Sequence, residues 1–123
     1  MTLTVLFVDD DLDLLSSVQD AAAMVSLMRL LTAGTAKEAL KLIESDKVDI
    51  VVSDENMNET SGLQLLTEIR RRAPRIRLVL NSGMVTAAMR EKAEAIGVEK
   101  ILSKPFRLSD LVRLVAKGPP PEI

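Results

Sequence analysis

Asp49-Ile-Val-Val-Ser-Asp-Glu-Asn-Met57 is the stretch on which the fold turns. Ile50, Val51 and Val52 are consecutive and apolar, so a strand built from them is buried on both faces rather than one. Such strands lie under helices on either side. The same character recurs on either side, in five short apolar runs: Thr4–Val8, Met28–Thr32, Asp49–Ser53, Arg77–Asn81 and Glu99–Ser103. Between them the apolar residues fall at helical spacing. Leu15, Val18, Ala22 and Val25 share one face of a first helix. Ala36, Ala39, Leu40 and Ile43 share one face of a second, opened by a capping-box pattern from Thr35 to Glu38. Leu63, Leu66 and Ile69 mark a third, with Ser61 as its N-cap. Met89, Ala93 and Ile96 mark a fourth, closed by Gly97, and Leu108, Leu111, Val112 and Val115 a fifth, closed by Gly118. Five strands alternating with five helices predict a doubly wound α/β fold around a five-stranded parallel sheet. Residues 1–117 form one domain on this reading. Residues 118–123, beginning Gly-Pro-Pro-Pro, read as a Pro-rich tail or linker without fixed structure.

Composition narrows the chemistry. The 123 residues suffice for one closed core. Apolar residues make up 47% and charged residues 28%, as in a soluble globular domain. Phe7 and Phe106 are the two aromatics, so a core built from Leu, Val, Ile, Ala and Met is expected. A net charge of −2 gives no broad footprint for nucleic acid, and no direct nucleic-acid binding is expected. There is no cysteine and no histidine. Thiolate chemistry is excluded, and any histidine-dependent step must use a partner's residue. The apolar start from Leu3 to Val8 is too short and too soon charged for a signal peptide or membrane span, so a cytoplasmic location is expected.

In open α/β sheets, ligands bind beyond the carboxyl ends of the strands. The first run is followed by Asp9, Asp10 and Asp11, and the third by Asp54, Glu55 and Asn56. The fourth ends in Asn81, Ser82 and Gly83, and the fifth in Ser103, Lys104 and Pro105. Adjacent strand ends lie about 5 Å apart, so carboxylates, a hydroxyl and a lysine converge. Crowded carboxylates repel, and a hard cation relieves them; Mg²⁺ suits a few carboxylates, retained waters and a phosphate oxygen. Lys104 can neutralise a further anion and Ser82 can donate to it. Together these make a phosphoryl-transfer site in which a carboxylate nucleophile becomes an aspartyl phosphate. Each signal has an ordinary reading as well. Asp residues cap helices, Asp-Glu-Asn opens loops, Ser-Gly makes turns, and lysine before proline is often solvated. What distinguishes this chain is that all four occur at the expected strand ends. Arg70, Arg71, Arg72, Arg75 and Arg77 form a basic cluster best explained by the C-terminal end of the third helix. The six methionines read as core filler.

The segments Val5-Leu-Phe-Val-Asp-Asp10, Asp49-Ile-Val-Val-Ser-Asp-Glu-Asn-Met57, Leu80-Asn-Ser-Gly83 and Lys104-Pro-Phe106 resemble, in order and spacing, those of response-regulator receiver domains, the CheY-like family. The resemblance covers residues 3–117. It implies a flavodoxin-like (βα)5 fold with strand order 2-1-3-4-5. It also implies two-component phosphorelay signalling, with Asp54 as phosphoacceptor and metal ligand. Asp10 would be a direct Mg²⁺ ligand, Asp9 a ligand mainly through water, and Asn56 a ligand through its backbone carbonyl. Ser82 would be the switch hydroxyl and Lys104 the partner of the phosphoryl group, with a cis Lys104–Pro105 bond. The donor would be a phosphohistidine on a sensor histidine kinase or histidine phosphotransfer protein. The protein would be a switch with at most slow self-dephosphorylation, not an enzyme. It would meet a downstream effector through helix four, strand five and helix five; homodimerisation is left open.

The chain departs from the family pattern in places. Ile101 stands where many members carry a rotating Tyr or Phe, Asn58 where a proline is usual, and Gly83 where alanine is common. Met84 and Asn56 occupy the positions that screen the phosphoryl group from water. Three rival readings are a haloacid-dehalogenase-type Mg²⁺-dependent phosphatase, with Asp9 as nucleophile, a flavodoxin-like cofactor module, and a pseudo-receiver scaffold that is never phosphorylated. The first lacks the usual Thr or Val after its Asp-x-Asp; the second would set three anions against a flavin phosphate. The intact acidic set argues against the third.

Overall fold

A computed structural model describes residues 2–22, 28–105 and 107–117. Strands β1 (Leu3–Val8), β2 (Met28–Ala33), β3 (Ile50–Asp54), β4 (Arg77–Ser82) and β5 (Val98–Ser103) alternate with helices α1 (Leu12–Ala22), α2 (Ala36–Ser45), α3 (Gly62–Arg72), α4 (Ala87–Ala95) and α5 (Leu108–Lys117). All pairings are parallel and the order is β2-β1-β3-β4-β5.

Alternation along the strands divides the core in two. Leu6, Val8, Val51, Leu78 and Leu80 pack with Ala39 of α2 and Leu65, Leu66 and Ile69 of α3. Val5, Phe7, Ile50, Val52, Val79 and Leu102 pack with Leu15 of α1 and with Leu111 and Val115 of α5. Both faces of the central strands are therefore dry, which is why their sequences are continuously apolar.

The element order follows the sequence reading, with instructive differences. β3 and β4 each run one residue further, so Asp54 and Ser82 are the last residues of strands rather than the first of loops. The ladder continues because backbone pairing of Asp54 with Asn81 does not depend on an apolar side chain. Ser61 caps α3 in a full capping box with Gln64. At α2 only half of the expected box forms. Thr35 accepts from the Glu38 amide, but the Glu38 carboxylate turns to the Gly34 amide instead of that of Thr35. Gly97, at φ +83°, follows α4 in the left-handed region. Val25, Phe106, Gly118 and the proposed tail 118–123 lie outside the described residues.

Arg70, Arg71 and Arg72 do end α3, but their side chains are committed. Arg70 donates to the carbonyls of Pro74, Ile96 and Gly97, tying α3 to the α4–β5 turn. Arg71 and Arg72 pair with Glu68. Arg77, on β4, makes a two-pronged buried pair with Glu99 and donates to the Leu114 carbonyl. Among the described residues no helix is long and apolar enough to cross a membrane.

Candidate functional site

β1 delivers three aspartates to one end of the sheet, and they divide the work there. Asp11 serves the helix: its Oδ1 accepts from the amides of Asp13 and Leu14, 3.1 Å each, at the start of α1. For this residue the capping reading is correct. Asp9 is buried, with Oδ1 accepting from the Asp11 amide at 2.9 Å and Oδ2 without a partner. Asp10 accepts from the Asn58 amide at 3.1 Å, which fastens the β3–α3 loop to the end of β1.

Asp54 closes the group from β3. It is 2% exposed, and its Oδ1 lies 2.6 Å from Lys104 Nζ. That contact is an ion pair without hydrogen-bond alignment, since the same oxygen has no aligned donor. Oxygens of Asp9, Asp10 and Asp54 lie within 4.8 Å of one another. Burial, followed by the neighbouring charges of Asp54 and Asp10, raises the Asp9 carboxyl above the ordinary aspartate range; the Asp11 amide and Lys104 oppose the shift. Lys104 is placed by its amide, which donates to the Ser82 carbonyl at 2.9 Å, and is followed by a cis bond to Pro105.

These residues line a cavity of about 600 Å³ with Asp11, Leu14, Asn56, Asn81 and Pro105. The donors are all hard oxygens, with no nitrogen or sulfur ligand among them, and one buried carboxylate oxygen is unsatisfied. That set fits a hard divalent cation such as Mg²⁺.

Of the residues singled out from sequence, Asp9, Asp10, Asp54, Asn56 and Lys104 are brought together. Ser82 is not. Its hydroxyl donates to the Met84 carbonyl at 2.8 Å and accepts from the Met84 amide at 3.2 Å. Strand alternation explains this: Ser82 shares its face with Leu78 and Leu80, whereas Asp54 shares its face with Ile50 and Val52.

Three residues of the site are given no role in the sequence reading, although Glu55 and Asn81 stand at its strand ends. Asn81 is fully buried beside Asp54, and neither terminal atom of its carboxamide has a hydrogen-bond partner. A lone buried amide of this kind costs about 1–3 kcal/mol. Its signal was a polar residue with the parity of Val79 in an otherwise apolar run. Glu55 accepts from the Leu63 amide at 2.9 Å, pinning the start of α3. Gly62 approaches Asp54 so closely that a Cβ would sit 2.3 Å from the Asp54 carbonyl oxygen; no periodicity marks it.

The family model described as response regulator receiver domain matches residues 5–116. The DNA-binding transcriptional regulator NtrC of Azospirillum brasilense is 28% identical over 115 residues, which are 94% of this chain and 24% of that protein. The sensor kinase CckA of Brucella abortus is 34% identical over 121 residues, covering 91% of this chain and 12% of the kinase. The chain thus spans a quarter or less of these two relatives. Among solved structures, a CheY-like response regulator receiver domain protein from Methanospirillum hungatei superposes with a TM-score of 0.87 at 21% identity, covering 95% of this chain and 93% of that one.

Proposed function

The chain belongs to the response regulator receiver domain family, the phosphorelay switches of two-component signalling, and from that premise we propose that Asp54 accepts a phosphoryl group from a partner's phosphohistidine. The observation behind this is the position of Asp54: buried, with Lys104 at 2.6 Å on one side and the oxygens of Asp9 and Asp10 on the other. An Asp54 oxygen attacks phosphorus in line. The phosphorus–nitrogen bond of the donor breaks, and the imidazole leaves with its electron pair and takes up a proton. Lys104 meets the negative charge of the transferring oxygens, and the fixed geometry of strand ends supplies the orientation.

Asp9, Asp10, Asp54 and the backbone carbonyl of Asn56 are the residues that would hold Mg²⁺. When bound, the ion offsets the charge of the carboxylates and the phosphoryl oxygens. Phosphorylation brings about −1.5 to −2 charges and strong acceptors to Asp54. Ser82 would leave Met84 to donate to them, shifting the loop that leads into α4. The effector would read that change on α4, β5 and α5, and slow hydrolysis at Asp54 would reset it. We take residues 1–117 as the domain, 118–123 as a linker and the setting as cytoplasmic, with a sensor kinase or phosphotransfer protein as donor.

The phosphatase reading is not favoured: it puts the nucleophile at Asp9, which already accepts from the Asp11 amide and whose carboxyl is raised. Incubation with acetyl phosphate and Mg²⁺, then peptide mapping by mass spectrometry, tests the assignment. Label on Asp54, lost in Asp54→Asn, is expected. Label on Asp9, or none, would overturn it.

A further inference from the structure

The Asn81 carboxamide is the one side chain, among the described residues, whose donor and acceptor ends are both buried and without a partner. Its surroundings make that placement hard to explain structurally. Val52, Val79 and Leu102 flank it on the α1–α5 side of the sheet, and all are apolar. Leucine, nearly the same shape as asparagine, would fill the position without loss. Yet Asn81 lines the same cavity as Asp9, Asp10, Asp54 and Lys104, and it is the register partner of Asp54 across β3 and β4. Asp9 Oδ2 and Asp54 Oδ1, acceptors on the same cavity, have no aligned donor. The amide therefore bonds neither carboxylate directly. The four atoms belong to residues that line one cavity, Asp54 Oδ1 having only its ion pair with Lys104, and their sum is three acceptors and an NH2 donor, whichever way the amide is turned.

We propose that Asn81 is a positioning residue for the cation of this site. Its carboxamide binds the hydration shell of the metal from the sheet side, accepting from metal-held water while donating toward the carboxylate oxygens that carry the ion. The inference rests on the Mg²⁺-binding reading above. An uncharged residue suits this place: a further carboxylate would add repulsion to Asp9, Asp10 and Asp54, and an apolar one would leave the water on that side unheld. Partners of this outer kind set how well ligands and waters are oriented, and losing one weakens metal affinity about 10–100-fold.

The test is a Mg²⁺ titration by calorimetry, with parallel melting curves, on the wild type, Asn81→Leu, Asn81→Ala and Asp10→Asn. In Asn81→Leu the metal-free melting temperature should equal or exceed that of the wild type, while the Mg²⁺ dissociation constant rises at least tenfold. Asn81→Ala should lose affinity equally, so the result does not hang on how one variant folds. A change of less than tenfold in both variants would overturn the proposal. So would a fall in metal-free melting temperature for both at unchanged affinity, since that marks a structural amide. Asp10→Asn separates the two levels. If it loses Mg²⁺ while the Asn81 variants keep it, only the role of Asn81 fails. If the wild type itself does not bind Mg²⁺, the reading of the whole site fails, and this inference with it.

Discussion

Replacing Gly62 by alanine puts a methyl group against the backbone of the residue on which the site depends. The added carbon would stand 2.3 Å from the Asp54 carbonyl oxygen and 2.9 Å from both its carbonyl carbon and Leu80 Cδ1. Leu80 is a side chain and can turn aside. The Asp54 carbonyl cannot, because Asp54 is paired in β3 and the next amide, that of Glu55, is bonded to the Asn81 carbonyl at 2.9 Å. Reaching ordinary contact requires α3 to retreat by about 1 Å from the end of β3. It would have to break or stretch the 2.9 Å bonds from the Gly62 amide to the Glu55 carbonyl and from the Leu63 amide to the Glu55 carboxylate.

Overpacking of this kind costs about 1–3 kcal/mol. One effect opposes it: alanine leaves the unfolded chain less backbone entropy to lose than glycine does, worth about 0.4–1 kcal/mol. Because the 2.3 Å approach is to a fixed backbone atom, the steric cost lies in the upper part of its range. The net loss is about 1–2 kcal/mol, or roughly 4–8 °C in melting temperature for a domain of this size. A displacement of about 1 Å at a reacting group can cost 10²-fold in rate, so labelling of Asp54 by acetyl phosphate should slow by more than the stability loss explains. Melting curves and labelling rates at a temperature where both proteins are folded make the comparison. A Gly62→Ala protein that melts within 1 °C of the wild type and labels at the same rate would show that α3 does not need this close approach to Asp54.

Mg²⁺ should raise the melting temperature, by the equivalent of about 2.7 kcal/mol at a hundredfold excess over Kd. Asp10→Asn should stabilise the metal-free protein and abolish that response in the same melting assay. The raised Asp9 carboxyl means the folded chain keeps a proton that the unfolded chain has already released. Metal-free stability contributed by this group should therefore fall as pH rises from about 4 through the raised value. The drop is read as the difference between wild-type and Asp9→Asn melting curves, because groups such as Glu68, held down at about 2 by Arg71 and Arg72, add the opposite slope at lower pH. Arg77→Met should leave Glu99 buried and uncompensated, at a cost of about 3–5 kcal/mol by denaturant unfolding; a loss under 1 kcal/mol would mean that Glu99 finds water.

How far the sequence can be read depends on whether a property is carried by a pattern or by a single contact. Ile50, Val51 and Val52 declare a strand dry on both sides, and the five repetitions of that pattern carry the fold. The convergence of Asp9, Asp10, Asp54 and Lys104 follows from strand ends alone. Asn81 is different: its importance lies in the register that sets it against Asp54, and register is fixed by tertiary pairing rather than by composition. Gly62 is different again, since close approach leaves no mark except the missing side chain. The Glu38 carboxylate turned to a neighbouring amide because Gly34 offered one within reach, a choice among local donors that no spacing rule decides.

The parity that puts Asn81 on the face of Asp54 also separates Ser82 from the site. Asp54 and Ser82 end adjacent strands but belong to opposite faces, so the hydroxyl can serve the cavity only by releasing both backbone groups of Met84. Those bonds hold the loop that runs into α4. Among its described residues α4 buries only Ala93, with Met89 and the capping Ile96 packed against the core edge. Helix α3 is anchored far more firmly, by Leu65, Leu66 and Ile69 together. A displacement that starts at Ser82 therefore meets least resistance along α4. Half-buried Ile101 packs against that same core edge as the register partner of Leu80. An aliphatic side chain there can follow α4 by sliding and repacking, which is the route open to a switch without an aromatic ring to turn.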